Sequence, residues 1–100
     1  MLAIVAPLLS QKINVSRKMK FTYQSKWKEE LVGSYGEHKF IVELTIGKLE
    51  VYFPEETKWE SVAPTWAKGK WAEVRDDARD WCESQSIPFV IDQAAWVNFE

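Results

Sequence analysis

Leu31-Val32-Gly33-Ser34-Tyr35-Gly36-Glu37-His38-Lys39-Phe40-Ile41-Val42-Glu43-Leu44-Thr45-Ile46-Gly47-Lys48-Leu49-Glu50-Val51-Tyr52-Phe53 sets two glycine-led turns between runs of alternating apolar residues. Phe40, Val42, Leu44 and Ile46 alternate with Ile41, Glu43 and Thr45, and after Gly47-Lys48 the alternation resumes at Leu49, Val51 and Phe53. Successive side chains of a strand point to opposite faces, so this pattern predicts a β-hairpin with one apolar face. Glycine as the first of two turn residues suits a type II′ turn, a register that sets Ile46 opposite Leu49, Leu44 opposite Val51 and Val42 opposite Phe53. A slip of one residue would carry the whole apolar set to the wrong face, so turn and pattern specify the same pairing.

The same logic at Gly36-Glu37 pairs Tyr35 with His38, Gly33 with Phe40 and Leu31 with Val42, which extends the hairpin to a three-strand meander over 31–53. The second face carries Val32, Ser34, Ile41, Glu43, Thr45, Glu50 and Tyr52, a mixture that suits solvent. The apolar face therefore needs a cover. From about Thr65 to Ser84, Trp71, Val74, Ala78, Trp81 and Cys82 recur at helical spacing and predict the covering helix. Its opposite side holds Glu73, Arg75, Asp76, Asp77, Arg79, Asp80 and Glu83, read as a solvated face.

Pro64 bars helical geometry from the residue before it, so Glu55–Val62 is expected to form a short turn of helix at most. Ile87-Pro88-Phe89-Val90-Ile91 reads as a short strand that Pro88 confines to an edge. Asp92 is placed to cap a terminal helical turn containing Ala94, Ala95 and Trp96. The expected fold is a two-layer α+β domain: a three- to four-stranded, mostly antiparallel sheet built on the meander 31–53, one main helix at about 65–84 over one face, and an edge strand at 87–91. Phe21-Thr22-Tyr23 is strand-like, so the domain is expected to run from 19 to 100, with 1–18 as an N-terminal extension.

A chain of 100 residues with 46% hydrophobic content can bury a core without disulfides or a structural metal. Cys82 is its one cysteine, which excludes an internal disulfide and makes a reducing compartment, the cytoplasm, the expected location. The longest apolar run, Leu2 to Leu9, is interrupted by Pro7 and falls far short of the roughly 20 residues needed to span a bilayer. No Lys or Arg precedes it, a poor match to a secretory leader. The net charge of −2 hides an asymmetry: Lys12, Arg17, Lys18, Lys20, Lys26 and Lys28 stand in residues 1–28 with no acid, and all 15 acids follow. A basic arm of this kind can lie along an acidic domain or reach an anionic surface.

His38 and Cys82 are each single in the chain, which removes multi-histidine and multi-cysteine zinc sets. Cys82 falls on the apolar stripe and reads as a small buried hydrophobe, and His38 flanks a turn. Asp76 with Asp80, and Asp77 with Glu73, have one-turn spacing but sit on the hydrophilic side of the helix, where nothing raises a carboxyl pKa for acid–base work. No glycine-rich phosphate loop and no nucleophile-elbow pattern is present, so no cofactor is expected and the chain reads as a non-enzyme.

Six tryptophans remain to be explained, five of them after residue 58. Trp71 and Trp81 lie on the stripe and read as packing residues. Trp59, Trp66 and Trp96, with Tyr52, are expected to line a concave surface beside Glu55, Glu56 and Glu60, suited to a basic protein partner or a cationic or aromatic ligand. The function expected is a small binding module with an acidic, Trp-rich surface, a class that includes proteins that neutralise a cationic enzyme surface. Two alternatives stand beside it: a small-molecule pocket between sheet and helix, and nucleic-acid binding through the basic segment with Phe21, Tyr23 and Trp27 stacking. The acidity of the rest of the domain disfavours nucleic acid. Self-association across an incompletely protected sheet edge is a further option, which Pro88 opposes on its own strand.

Overall fold

The computed structural model describes residues 19–26 and 29–100; the basic extension 1–18 and Trp27 lie outside the described residues. Strands β1 (Thr22–Lys26), β2 (Glu30–Tyr35), β3 (His38–Thr45) and β4 (Glu50–Pro54) form an antiparallel meander. Helices α1 (Glu56–Val62) and α2 (Trp71–Ser84) then carry the chain to β5 (Phe89–Asp92), which pairs parallel with β4, and β6 (Val97–Phe99) returns to β3. The fold is α+β, an open and mostly antiparallel six-stranded sheet with order β1-β2-β3-β4-β5 and β6 beside β3. It holds more strands than the three or four expected, and a second helix.

The turn-specified register is present. Tyr35 pairs with His38, Gly33 with Phe40 and Leu31 with Val42, and Leu44 pairs with Val51 in the next hairpin. The expected partnership of Val42 with Phe53 does not form. β3 divides one edge between two strands: Glu43–Thr45 take β4, and Phe40–Val42 take β6. Both Val42 and Phe53 are still fully buried. Ile46 and Leu49, the last expected apolar pair, are 60% and 51% exposed because the hairpin tip runs past the cover.

Gly33 is fixed by close approach. A Cβ there would lie 2.6 Å from the Phe40 ring and 2.9 Å from Tyr23, the two rings being 6.1 Å apart across β2. The missing side chain is therefore what lets aromatics from β1 and β3 meet over the strand between them.

The cover differs from expectation at its beginning. Glu56–Val62 forms a helix of 7 residues, longer than a single turn, and α2 starts at Trp71 and not near Thr65. Pro64 opens a tight turn in which its carbonyl accepts N–H groups from Ala67 (2.9 Å) and Lys68 (3.0 Å). Gly69 follows at φ +75°, a conformation that halts helix growth and that glycine adopts without strain. Val74, Ala78 and Cys82 are fully buried against the sheet, as the stripe requires. Trp71 and Trp81 flank that stripe, half-buried. The Trp71 indole donates to the Pro54 carbonyl at 2.9 Å and supports the Arg75 guanidinium at 4.7 Å.

α2 ends with Ser86 at φ 59°. The Ile87 N–H bonds the Cys82 carbonyl at 2.9 Å and the Ser86 N–H bonds that of Glu83 at 3.1 Å, the paired bonds of a helix stop that usually takes glycine. The chain then enters β5 at Phe89, an edge strand as expected, with Pro88 just outside it. The expected terminal helical turn is reduced to a tight turn, with the Ala95 N–H on the Asp92 carbonyl at 3.0 Å, and Trp96 lies beyond it. Asp92 does accept the Ala94 N–H at 2.8 Å, but it caps a turn that leads into β6.

Two substitutions test this packing by chemical denaturation. Gly33→Ala is expected to destabilise the fold by about 2 kcal/mol through overpacking; an unchanged midpoint would place the Phe40 and Tyr23 rings elsewhere. Ser86→Gly is expected to stabilise it by about 0.5–1 kcal/mol by removing a left-handed non-glycine residue.

Candidate functional site

The side chains that face away from the helices form the candidate site. With Leu44 and Val51 in the core, the strand period turns Glu43, Thr45, Glu50 and Tyr52 to the outer face, where Glu43 pairs with Tyr52 and Thr45 with Glu50. The parallel pairing of β5 sets Asp92 beside Pro54, two residues along β4 from Tyr52. The turn after Asp92 brings in Ala94 and Ala95. Together Glu43, Thr45, Tyr52, Asp92, Ala94 and Ala95 line an open cleft of ≈ 340 Å³.

Its electrostatics are one-sided. The Tyr52 hydroxyl donates to Glu50 Oε1. That hydrogen bond, with the nearby Lys48 charge, holds the Glu50 carboxyl below its ordinary value against the opposing effect of burial. The Tyr52 phenol is raised by the same bond, then by burial, then by the charges of Glu50, Glu43 and Asp92. Among the described residues no Lys or Arg lines the cleft. Lys48 lies 3.5 Å from Glu50, with 86% of its side chain in solvent. An arrangement of a phenol and carboxylates that converge without a cation of their own can accept a positively charged group.

The expected site residues do not come together. Trp59 is fully buried and donates its indole N–H to the Ala67 carbonyl at 2.9 Å. Trp66 is half-buried and stacks on exposed His38, ring centroids 4.6 Å apart and 14° from parallel. Trp96 is half-buried in the connection between β5 and β6. Glu55 and Glu56 are exposed at the start of α1, and the Glu60 carboxylate accepts the Gly69 N–H at 2.9 Å. Of that set Tyr52 alone lines the cleft. Glu43 and Thr45 were placed on its face by the hairpin register, whereas Asp92 joins them only through the crossover to β5.

The acidic side of α2 is not simply solvated. Glu73 Oε2 accepts the Met19 N–H at 2.8 Å. Asp77 Oδ2 accepts the Phe21 N–H at 2.9 Å and the Tyr23 hydroxyl at 3.0 Å. Asp76 pairs with Arg79 at 2.7 Å and Arg75 at 2.8 Å. Glu73 and Asp77 thus tie β1 and its approach onto the helix, while Asp76 pairs within it. Cys82 is buried as expected, and burial pushes its thiol up to about 11. Among the described residues no group of three or more His, Cys, Asp or Glu side chains is placed to hold a metal ion, and no helix is long and apolar enough to cross a membrane.

Comparison with protein-family models, with curated proteins and with solved structures finds no match to this chain.

The Tyr23 tether gives a pH signature. Burial, then the Asp77 charge and the hydrogen bond to it, raise the Tyr23 phenol above its ordinary 10.0. The folded chain thus keeps a proton that the unfolded chain releases, so this contribution is complete below pH 10 and declines as pH rises further. Urea unfolding from pH 8 to 11 is expected to show that decline. Tyr23→Phe is expected to flatten it and to cost about 1–2 kcal/mol at neutral pH; an identical alkaline slope in the variant would remove Tyr23 as its source.

Proposed function

We propose that this chain is a non-enzymatic binding module that holds a cationic group of a protein partner in the cleft beside Tyr52. The observation that carries the reading is the composition of that cleft: Glu43, Tyr52 and Asp92 converge around ≈ 340 Å³ with no Lys or Arg among the described residues that line it. A lysine or arginine side chain supplies what the site lacks, and its methylene stem has Tyr52, Ala94 and Ala95 to lie against. Carboxylates so placed also speed the encounter with a basic surface. The acidic and aromatic surface expected from sequence is thereby relocated from the tryptophans to the outer sheet face. The buried free thiol fits work in a reducing compartment, and we assign the protein to the cytoplasm on that ground.

Binding is tested by NMR titration of the 15N-labelled protein with N-acetyl-lysine methylamide and, separately, its arginine and glutamate counterparts. Amide shifts at Glu43, Tyr52 and Asp92 are expected with the two cationic probes, weakening with added salt. Glu43→Gln and Asp92→Asn are each expected to weaken binding about fivefold, the loss of roughly 1 kcal/mol from a partly exposed pair. The amide oxygen of Asp92→Asn can still accept the Ala94 N–H, so the turn is retained. Equal shifts with the glutamate probe, or none with the cations, would overturn the reading.

A further inference from the structure

One edge of the sheet lies next to this cleft. β5 ends the strand order, and among the described residues no strand lies beyond it. Val51 pairs with Phe89 and Phe53 with Ile91, and the Val51 N–H bonds the Pro88 carbonyl at 3.0 Å. In a parallel ladder the residues on either side of the paired position supply the bonds, so Pro88, Val90 and Asp92 turn their backbone groups toward β4. Phe89 and Ile91 turn theirs outward. The side chains divide by the same period: Asp92 and Val90 stand on the cleft face, and Phe89 and Ile91 on the helix face, where Ile91 is 40% exposed.

We propose that β5 is the docking edge for the partner: an extended segment of a protein that alternates a basic residue with an apolar one adds as a further strand. Its main chain pairs with Phe89 and Ile91. Its Lys or Arg, on the outer face, reaches the Asp92 carboxylate at the mouth of the cleft, and its apolar residue covers Ile91 on the other face. Backbone pairing supplies affinity, and the alternate side chains supply selection. Charge complementarity fixes the occupant, since among the described residues the cleft beside this edge is lined by acids without a cation. A short strand whose entry is held by Pro88, which has no N–H, leaves little room for a register other than the one centred on Phe89 and Ile91. The inference rests on the cationic reading of the cleft and adds to it the form of the partner.

The test uses the full chain and a fluorescein-labelled six-residue peptide alternating lysine and valine. Anisotropy is expected to report binding that falls at least fivefold when the peptide valines are N-methylated, and at least fivefold for the Asp92→Asn protein with the unmodified peptide. Hydrogen exchange of the Phe89 and Ile91 amides is expected to slow in the complex. Equal affinity for the N-methylated peptide, with no added protection at Phe89 and Ile91, would overturn strand addition. It would leave the cationic cleft standing if N-acetyl-lysine methylamide still shifts Glu43 and Tyr52. Failure of both probes to bind would overturn the two proposals together. Binding that survives N-methylation and Asp92→Asn alike would also overturn strand addition, by placing the contact elsewhere.

Discussion

Burial of the Trp59 indole is the constraint around which this domain is arranged. Its ring packs against Phe53, Phe40 and Phe99 at centroid distances of 5.6, 5.7 and 4.9 Å, so a single side chain of α1 touches β3, β4 and β6. An indole buries about 150–250 Å² and then needs an acceptor for its N–H. The acceptor is the Ala67 carbonyl, presented by the turn that Pro64 starts. Ala63 and Ala67 are both buried at this turn, where larger side chains would compete with the indole for space. The connection between the helices is thus shaped by the hydrogen-bonding requirement of a core residue, and α2 begins where that turn releases the chain.

The second organising feature is the divided edge of β3. Because β6 occupies Phe40–Val42, β4 pairs with β3 only over Glu43–Thr45 and then continues beside β5. The turn between β5 and β6 must lead from one branch to the other, and it passes the outer ends of Glu43 and Tyr52. That passage is what closes the side of the cleft with Ala94 and Ala95. The acids are local to their strands, but their convergence is a property of the branching.

The readable part of the fold was the part governed by neighbouring residues. Two glycine-led turns and an alternating pattern specified the pairing of Leu31 with Val42 and of Leu44 with Val51, and both pairs formed. β6 was not readable, since Val97-Asn98-Phe99 is three residues long and its partners lie far upstream at Phe40–Val42. Trp59 was misplaced for a related reason: its short helix carries Glu55, Glu56 and Glu60 around it, a composition that looks superficial, while the acceptor that permits burial stands 8 residues on. For the site, the hairpin register put Glu43 and Tyr52 on one face, but Asp92 reached them through a crossover that no local pattern encodes. Asp77 reads as solvated because its helical position is polar, although its partners, Phe21 and Tyr23, arrive from β1 and the residue before it.

The tether of Met19 and Phe21 to Glu73 and Asp77 has a consequence for assembly. A sheet with two open margins can grow from both and propagate into fibres, whereas here helix carboxylates already occupy amide donors at the approach to β1. Those two amide donors are thereby withdrawn from any strand that would extend pairing back past Thr22.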